Sequence, residues 1–90
     1  MNKQDIIARI AEKSGLTKKD VETVVNAVLE EITEALRAGE KVQFVGFGTF
    51  ETRKRSARTG RNPQTGETIN IPEAVIPAFR AGNKLKEAVK

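Results

Sequence analysis

These 90 residues contain no cysteine and no histidine, and each absence removes a class of chemistry. Without cysteine there is no disulfide framework, no thiolate nucleophile and no mark of an oxidising compartment. Without histidine the commonest general base is missing, and the two losses together remove the usual soft metal ligands. The aromatics stop at four phenylalanines, Phe44, Phe47, Phe50 and Phe79. There is no apolar run of membrane length and no signal-like segment, so a soluble, cytoplasmic protein is expected. Gly46-Phe47-Gly48 is not followed by the Gly-Lys-Ser/Thr of a phosphate loop and does not extend to a dinucleotide fingerprint. The expectation is a protein that is not an enzyme, with no cofactor, no metal and no small-molecule substrate.

What is present is positive charge, and it is concentrated. The formal net charge is +4, from 16 Lys and Arg against 12 Asp and Glu. Arg53, Lys54, Arg55, Arg58 and Arg61 fall within nine residues that contain no anion, and the other 81 residues hold 11 cations against 12 anions. A patch of that kind is the electrostatic footprint of a polyanionic partner. Asn62-Pro63-Gln64-Thr65-Gly66 follows it and is dense in turn formers, with strand-compatible residues on both sides (Phe50-Glu51-Thr52 and Thr68-Ile69-Asn70-Ile71). Read together they predict a long basic hairpin, about ten residues per leg and on the order of 30 Å long at about 3.3 Å per residue. Residue type leaves two readings of Pro63 open, a turn former or an apolar wedge at the end of the ribbon.

Around this arm the chain reads as a small α+β body. Asn2 and Asp5 form a cap for a first helix with Ile6, Ile7, Ile10 and Ala11 on one stripe, stopped by Gly15. Thr17 and Asp20 open a second helix whose stripe is Val21, Val24, Val25, Val28, Leu29, Ile32 and Leu36, ending at Ala38-Gly39. Its outer face carries Glu22, Glu30, Glu31 and Glu34, which argues against a helix-turn-helix DNA reader, because a recognition helix needs phosphate- or base-reaching side chains. From Lys41 the period drops to two, and Gly46 and Gly48 bracket a reversal. All four phenylalanines are expected in the core, so no aromatic platform is left for single-strand stacking. Pro72 and Pro77 confine the returning strands to edges or bends, and a terminal helix follows with Leu85, Ala88 and Val89 inward.

Gly46-Phe47-Gly48-Thr49-Phe50 and Arg58-Thr59-Gly60-Arg61-Asn62-Pro63-Gln64-Thr65-Gly66-Glu67 resemble the bacterial histone-like DNA-binding proteins of the HU family, related to integration host factor. The resemblance runs essentially end to end. It implies an intertwined homodimer with two N-terminal helices, an antiparallel sheet with a protruding β-hairpin arm, and a short C-terminal helix. The corresponding segments here are 1–38 for helical dimerisation, 41–52 and 76–80 for the sheet, 53–75 for the arm, and 82–90 for the last helix. Val28, Leu29, Ile32, Leu36, Phe44, Phe47, Phe50 and Phe79 would form the dimer core.

The implied function is bending and condensation of double-stranded DNA from the minor groove, with little sequence preference, by a nucleoid-associated protein. Arg53, Lys54, Arg55, Arg58, Arg61, Asn62 and Gln64 would bind DNA from the arm, with Pro63 intercalating. Lys3, Arg80, Lys84 and Lys86 would reach phosphates from the body. Asn83 stands where relatives usually carry a basic residue and Ala81 where some have Pro, which bears on the contacts near residues 83 and 84. The alternatives are a sequence-specific DNA-bending regulator of the integration host factor type and an RNA-binding module.

Overall fold

Asn2 opens the first helix, α1 (Lys3–Ser14), through a closed capping box. Its side-chain oxygen accepts the Asp5 N–H at 2.9 Å, and the Asp5 carboxylate accepts the Asn2 N–H at 3.0 Å. Two donors that the helix cannot satisfy internally are paired in this way. Gly15, in the left-handed conformation, caps the other end by donating to the Ala11 carbonyl. The second helix, α2 (Lys18–Arg37), begins where Thr17 Oγ1 accepts the Asp20 N–H at 3.1 Å. It ends in a Schellman motif: Gly39 N–H donates to the Leu36 carbonyl and Glu40 N–H to the Ala35 carbonyl.

The computed structural model describes all residues from Met1 to Lys90 and divides into two compact units, Met1–Glu34 and Ala35–Lys90. In the first unit Lys3 Nζ donates to Asn26 Oδ1 at 2.9 Å, joining α1 to α2. Ile7 and Val21 are each 2% exposed, and they are the buried hydrophobic residues of the whole chain. The expected stripe of α2 is only partly covered. Val25, Ile32 and Leu36 are half-buried, whereas Val24, Val28 and Leu29 remain exposed.

The second unit contains five antiparallel strands, β1 (Val42–Phe44), β2 (Gly48–Arg55), β3 (Arg58–Arg61), β4 (Thr68–Ile71) and β5 (Ala74–Ala81), then α3 (Asn83–Ala88). A three-stranded sheet has the order β1-β2-β5, and β3 and β4 form a separate pair. Phe50 is the last residue of β2 with a β1 partner, Val42, so from Glu51 onward the ribbon is two-stranded. The β2–β5 ladder runs from Gly48↔Ala81 to Arg55↔Ala74, lapses at Ser56-Ala57 opposite Pro72-Glu73, and resumes at Arg58↔Ile71. Neither leg gains or loses a residue across the lapse, so the register continues. Pro72 has no N–H to give the ladder at that level.

Near the start of β2 the phenylalanines cluster. Phe50 and Phe79 are cross-strand partners with ring centroids 4.8 Å apart, Phe44 meets Phe50 edge-on at 6.3 Å, and Phe47 meets Phe79 at 5.7 Å. Gly48 is buried beneath them, and a Cβ on it would overlap the Phe79 ring. The turn between β1 and β2 docks on α3, with Gly82 N–H donating to the Phe47 carbonyl at 2.7 Å and Leu85 N–H to the Gly46 carbonyl at 3.2 Å.

Two expectations change here. The phenylalanines are not enclosed by this chain: Phe44, Phe47 and Phe79 are 42%, 51% and 40% exposed. Val89 does not face inward but is the exposed C-cap of α3, one residue past its last turn, and Leu85 alone of the expected inward trio is half-buried.

Candidate nucleic-acid interface

The basic residues of the arm occupy both faces of the ribbon, because alternate strand residues point to opposite sides. Arg53 opposes Ile76 and Arg55 opposes Ala74, and they share a face with Glu51 and with Arg80, which opposes Thr49. Lys54, opposite Val75, lies on the other face with Arg58, opposite Ile71. Arg61 closes the ladder against Thr68, back on the Arg53 side. A single arm therefore presents cations in two directions.

The cations differ in how free they are. Glu51 has a side chain only 13% exposed and stands between two of them, with Arg53 Nε at 3.7 Å and Arg80 Nη2 at 3.4 Å. The Arg80 contact is an ion pair without hydrogen-bond geometry, and Glu51 Oε1 has no hydrogen-bond partner. Lys54 Nζ lies 3.0 Å from Glu73 Oε1 in an exposed pair. Pairs of that kind are worth about 0–1 kcal/mol and yield readily to a competing anion. Arg55 is half-buried, reaches the Pro72 carbonyl through Nη2 at 3.4 Å, and leaves Nε without a partner. Arg58 and Arg61 are exposed.

At the far end the chain reverses through Asn62–Glu67. Gly66 carries a φ of 75°, a conformation that glycine adopts without steric cost. Asn62 N–H donates to the Glu67 carbonyl and the Asn62 carbonyl accepts the Gly66 N–H, both at 2.8 Å, while Asn62 Oδ1 accepts the Gln64 N–H at 2.9 Å. Pro63 and Gln64 are exposed on the outside of this turn. In the body, Arg80 lies on β5, and Lys84 and Lys86 are exposed on α3. Lys3, the first residue of α1, is exposed and bonded to Asn26.

The three ion pairs of this surface were not singled out from sequence. The Glu51–Arg53 pair was available from strand spacing, since residues two apart share a face. The Arg80 and Glu73 partnerships depend on cross-strand register, which has no local signature. The turn that Asn62 closes was signalled by its Asn-Pro dipeptide, a turn initiator. No group of three or more His, Cys, Asp or Glu side chains is placed to hold a metal ion, and no helix is long and apolar enough to cross a membrane.

Residues 1–90 match the family described as bacterial DNA-binding protein. The chain is 66% identical over 89 residues to the DNA-binding protein HU of Lactococcus lactis, covering 99% of this chain and 98% of that one. It is 59% identical over 90 residues to the HU of Geobacillus stearothermophilus, covering all of both. Among solved structures it resembles Anabaena HU in a cocrystal with DNA, with a TM-score of 0.92 and 49% identity, covering 99% of this chain and 97% of that one. It also resembles HU from Thermotoga maritima, with a TM-score of 0.71 and 42% identity over the full length of both. A glycine-bracketed turn under a phenylalanine cluster, and a basic two-stranded ribbon closed by Asn62-Pro63, thus stand in a chain that belongs to the bacterial DNA-binding protein family.

Proposed function

We propose that this protein is a histone-like architectural protein that, as a homodimer, grips duplex DNA in the minor groove with two arms and bends it. The observation that carries the reading is the ribbon itself. From Glu51 outward it has no third strand, it displays arginines on both faces, and it ends in an exposed proline. A ribbon with cations on both faces reaches phosphates on the two sides of a groove while its tip approaches the groove floor. Pro63 supplies an apolar ring that unstacks a base step and kinks the duplex, as minor-groove architectural proteins of the HU and integration host factor type do. Arg53, Lys54, Arg55, Arg58, Arg61, Asn62 and Gln64 are assigned to DNA binding from the arm, and Lys3, Arg80, Lys84 and Lys86 to phosphates from the body.

Pairing of two chains is supported by the apolar surface that one chain leaves open. Val24, Val28, Leu29, Phe44, Phe47 and Phe79 are between 40% and 58% exposed. Fully burying a side chain of this class is worth about 1.5–3 kcal/mol, so covering the open half of these six contributes roughly 5–9 kcal/mol per chain. That is comparable with the whole stability of a small domain, about 5–15 kcal/mol. Val28, Leu29, Ile32, Leu36 and the four phenylalanines are assigned to the dimer core. The site of action is the cytoplasmic nucleoid.

Because the duplex must deform, affinity follows deformability: bending a 20–30 base-pair site costs on the order of 1–6 kcal/mol, and less where a nick or gap has already loosened it. Competition binding at matched salt tests this. The expected order is nicked or gapped duplex, then intact duplex, then single strands and RNA. Equal affinity for nicked and intact duplex contradicts the bending reading, and stronger competition by RNA contradicts duplex DNA as the partner.

A further inference from the structure

We propose that Asn62 is the positioning residue that holds Pro63 as a formed wedge before DNA is met, an inference that rests on the wedge reading given above. The last ladder pair is Arg61↔Thr68, and beyond it the reversal from Asn62 to Glu67 is closed by four hydrogen bonds. Three of them belong to Asn62. Its N–H donates to the Glu67 carbonyl, its carbonyl accepts from the Gly66 N–H, and its side-chain Oδ1 accepts from the Gln64 N–H. The fourth, from Glu67 N–H to Thr65 Oγ1, is long at 3.3 Å. Asn62 is half-buried, whereas each residue from Pro63 to Glu67 is exposed.

This arrangement brackets the proline. The Pro63 ring fixes its own φ and has no N–H, so its direction is set by the torsion on its N-terminal side and by the first amide after it. The side-chain bond from Asn62 to Gln64 N–H spans the ring and fixes both at once, as in an Asx turn. The ring therefore meets the stack already oriented, and the tip does not have to be ordered at the moment of binding. Asn62 Oδ1 is committed to the Gln64 N–H, so the effect of Asn62 on bending runs through Pro63, while its side-chain nitrogen is left for the DNA contact assigned above.

The test uses the full chain and a duplex carrying a donor and an acceptor dye at its ends, with bending read by energy transfer at saturating protein. Wild type, Asn62→Ala, Asn62→Ser, Pro63→Ala and the Asn62→Ala/Pro63→Ala double variant are compared. Asn62→Ala is expected to lower the bent-to-straight ratio about fivefold, the effect of about one hydrogen bond. Asn62→Ser, which keeps a neutral side-chain acceptor, should restore most of it. In the Pro63→Ala background Asn62→Ala should have no further effect. Helical content and melting temperature serve as the folding control and should stay at wild-type values, since the substitutions lie outside the helices and the three-stranded sheet.

Wild-type bending by Asn62→Ala, or no rescue by serine, overturns the positioning role. An undiminished effect of Asn62→Ala on bending in the absence of Pro63 overturns it too and assigns that effect to the Asn62–DNA contact alone. If Pro63→Ala itself bends DNA normally, the wedge reading fails, and any remaining effect of Asn62→Ala belongs to a different role.

Discussion

Lys54 and Arg61 lie in the same basic run, yet the structure separates them, and their substitution should read out differently in salt. Each phosphate neutralised on duplex DNA contributes about −0.9 to the slope of log affinity against log salt. Arg61 is exposed at the outer end of the ladder, so in a homodimer Arg61→Ala removes two contacts and should flatten the slope by about 1.8. Lys54 sits 3.0 Å from Glu73 and must exchange that carboxylate for a phosphate. Lys54→Ala should lower affinity, because Glu73 is then uncompensated beside the duplex, but flatten the slope by less than about half as much. Glu73→Gln should do the reverse: it releases Lys54, raises affinity and steepens the slope by up to about 1.8. The assay is fluorescence anisotropy of a labelled duplex titrated from about 50 to about 300 mM salt. Equal flattening by Lys54→Ala and Arg61→Ala, together with no effect of Glu73→Gln, would refute the reasoning.

Other outcomes follow from the body and the interface. Gly48→Ala drives a methyl into the Phe79 ring, and overpacking of this kind should cost about 1–3 kcal/mol in thermal unfolding. Asn2→Ala opens the capping box of α1 and should cost about 1 kcal/mol in the same assay. Leu29→Asp puts a charge on the open face of α2 and should shift the sedimentation mass toward a single chain, whereas Glu22→Gln on the polar face should leave it unchanged. Pro63→Ala should reduce bending while phosphate contacts keep most of the affinity.

What could be read from the sequence was whatever is encoded locally. The capping box at Asn2 and Asp5, the stop at Gly15 and the cap at Thr17 each depend on residues a few positions apart, and all formed as expected. The arm was legible for a similar reason, since a turn cluster between two strand-compatible segments specifies a hairpin. What was not legible depends on register or on covering surface. The break at Ser56-Ala57 arises because Pro72 happens to stand across from Ala57. The meeting of Glu51 with Arg80 links residues 29 apart, a distance no periodicity reports. The phenylalanines satisfied a core pattern, but pattern does not reveal how much of a core one chain encloses, and three of the four remain 40% exposed or more.

End-to-end energy transfer across a short duplex, with the wild-type protein added to saturation at fixed salt, bears most directly on whether the basic arm deforms DNA. The expected result is a large approach of the duplex ends, greater when a nick lies at the centre. Saturated binding with the end-to-end distance unchanged would mean that the cationic ribbons hold DNA without bending it, and would contradict the architectural role.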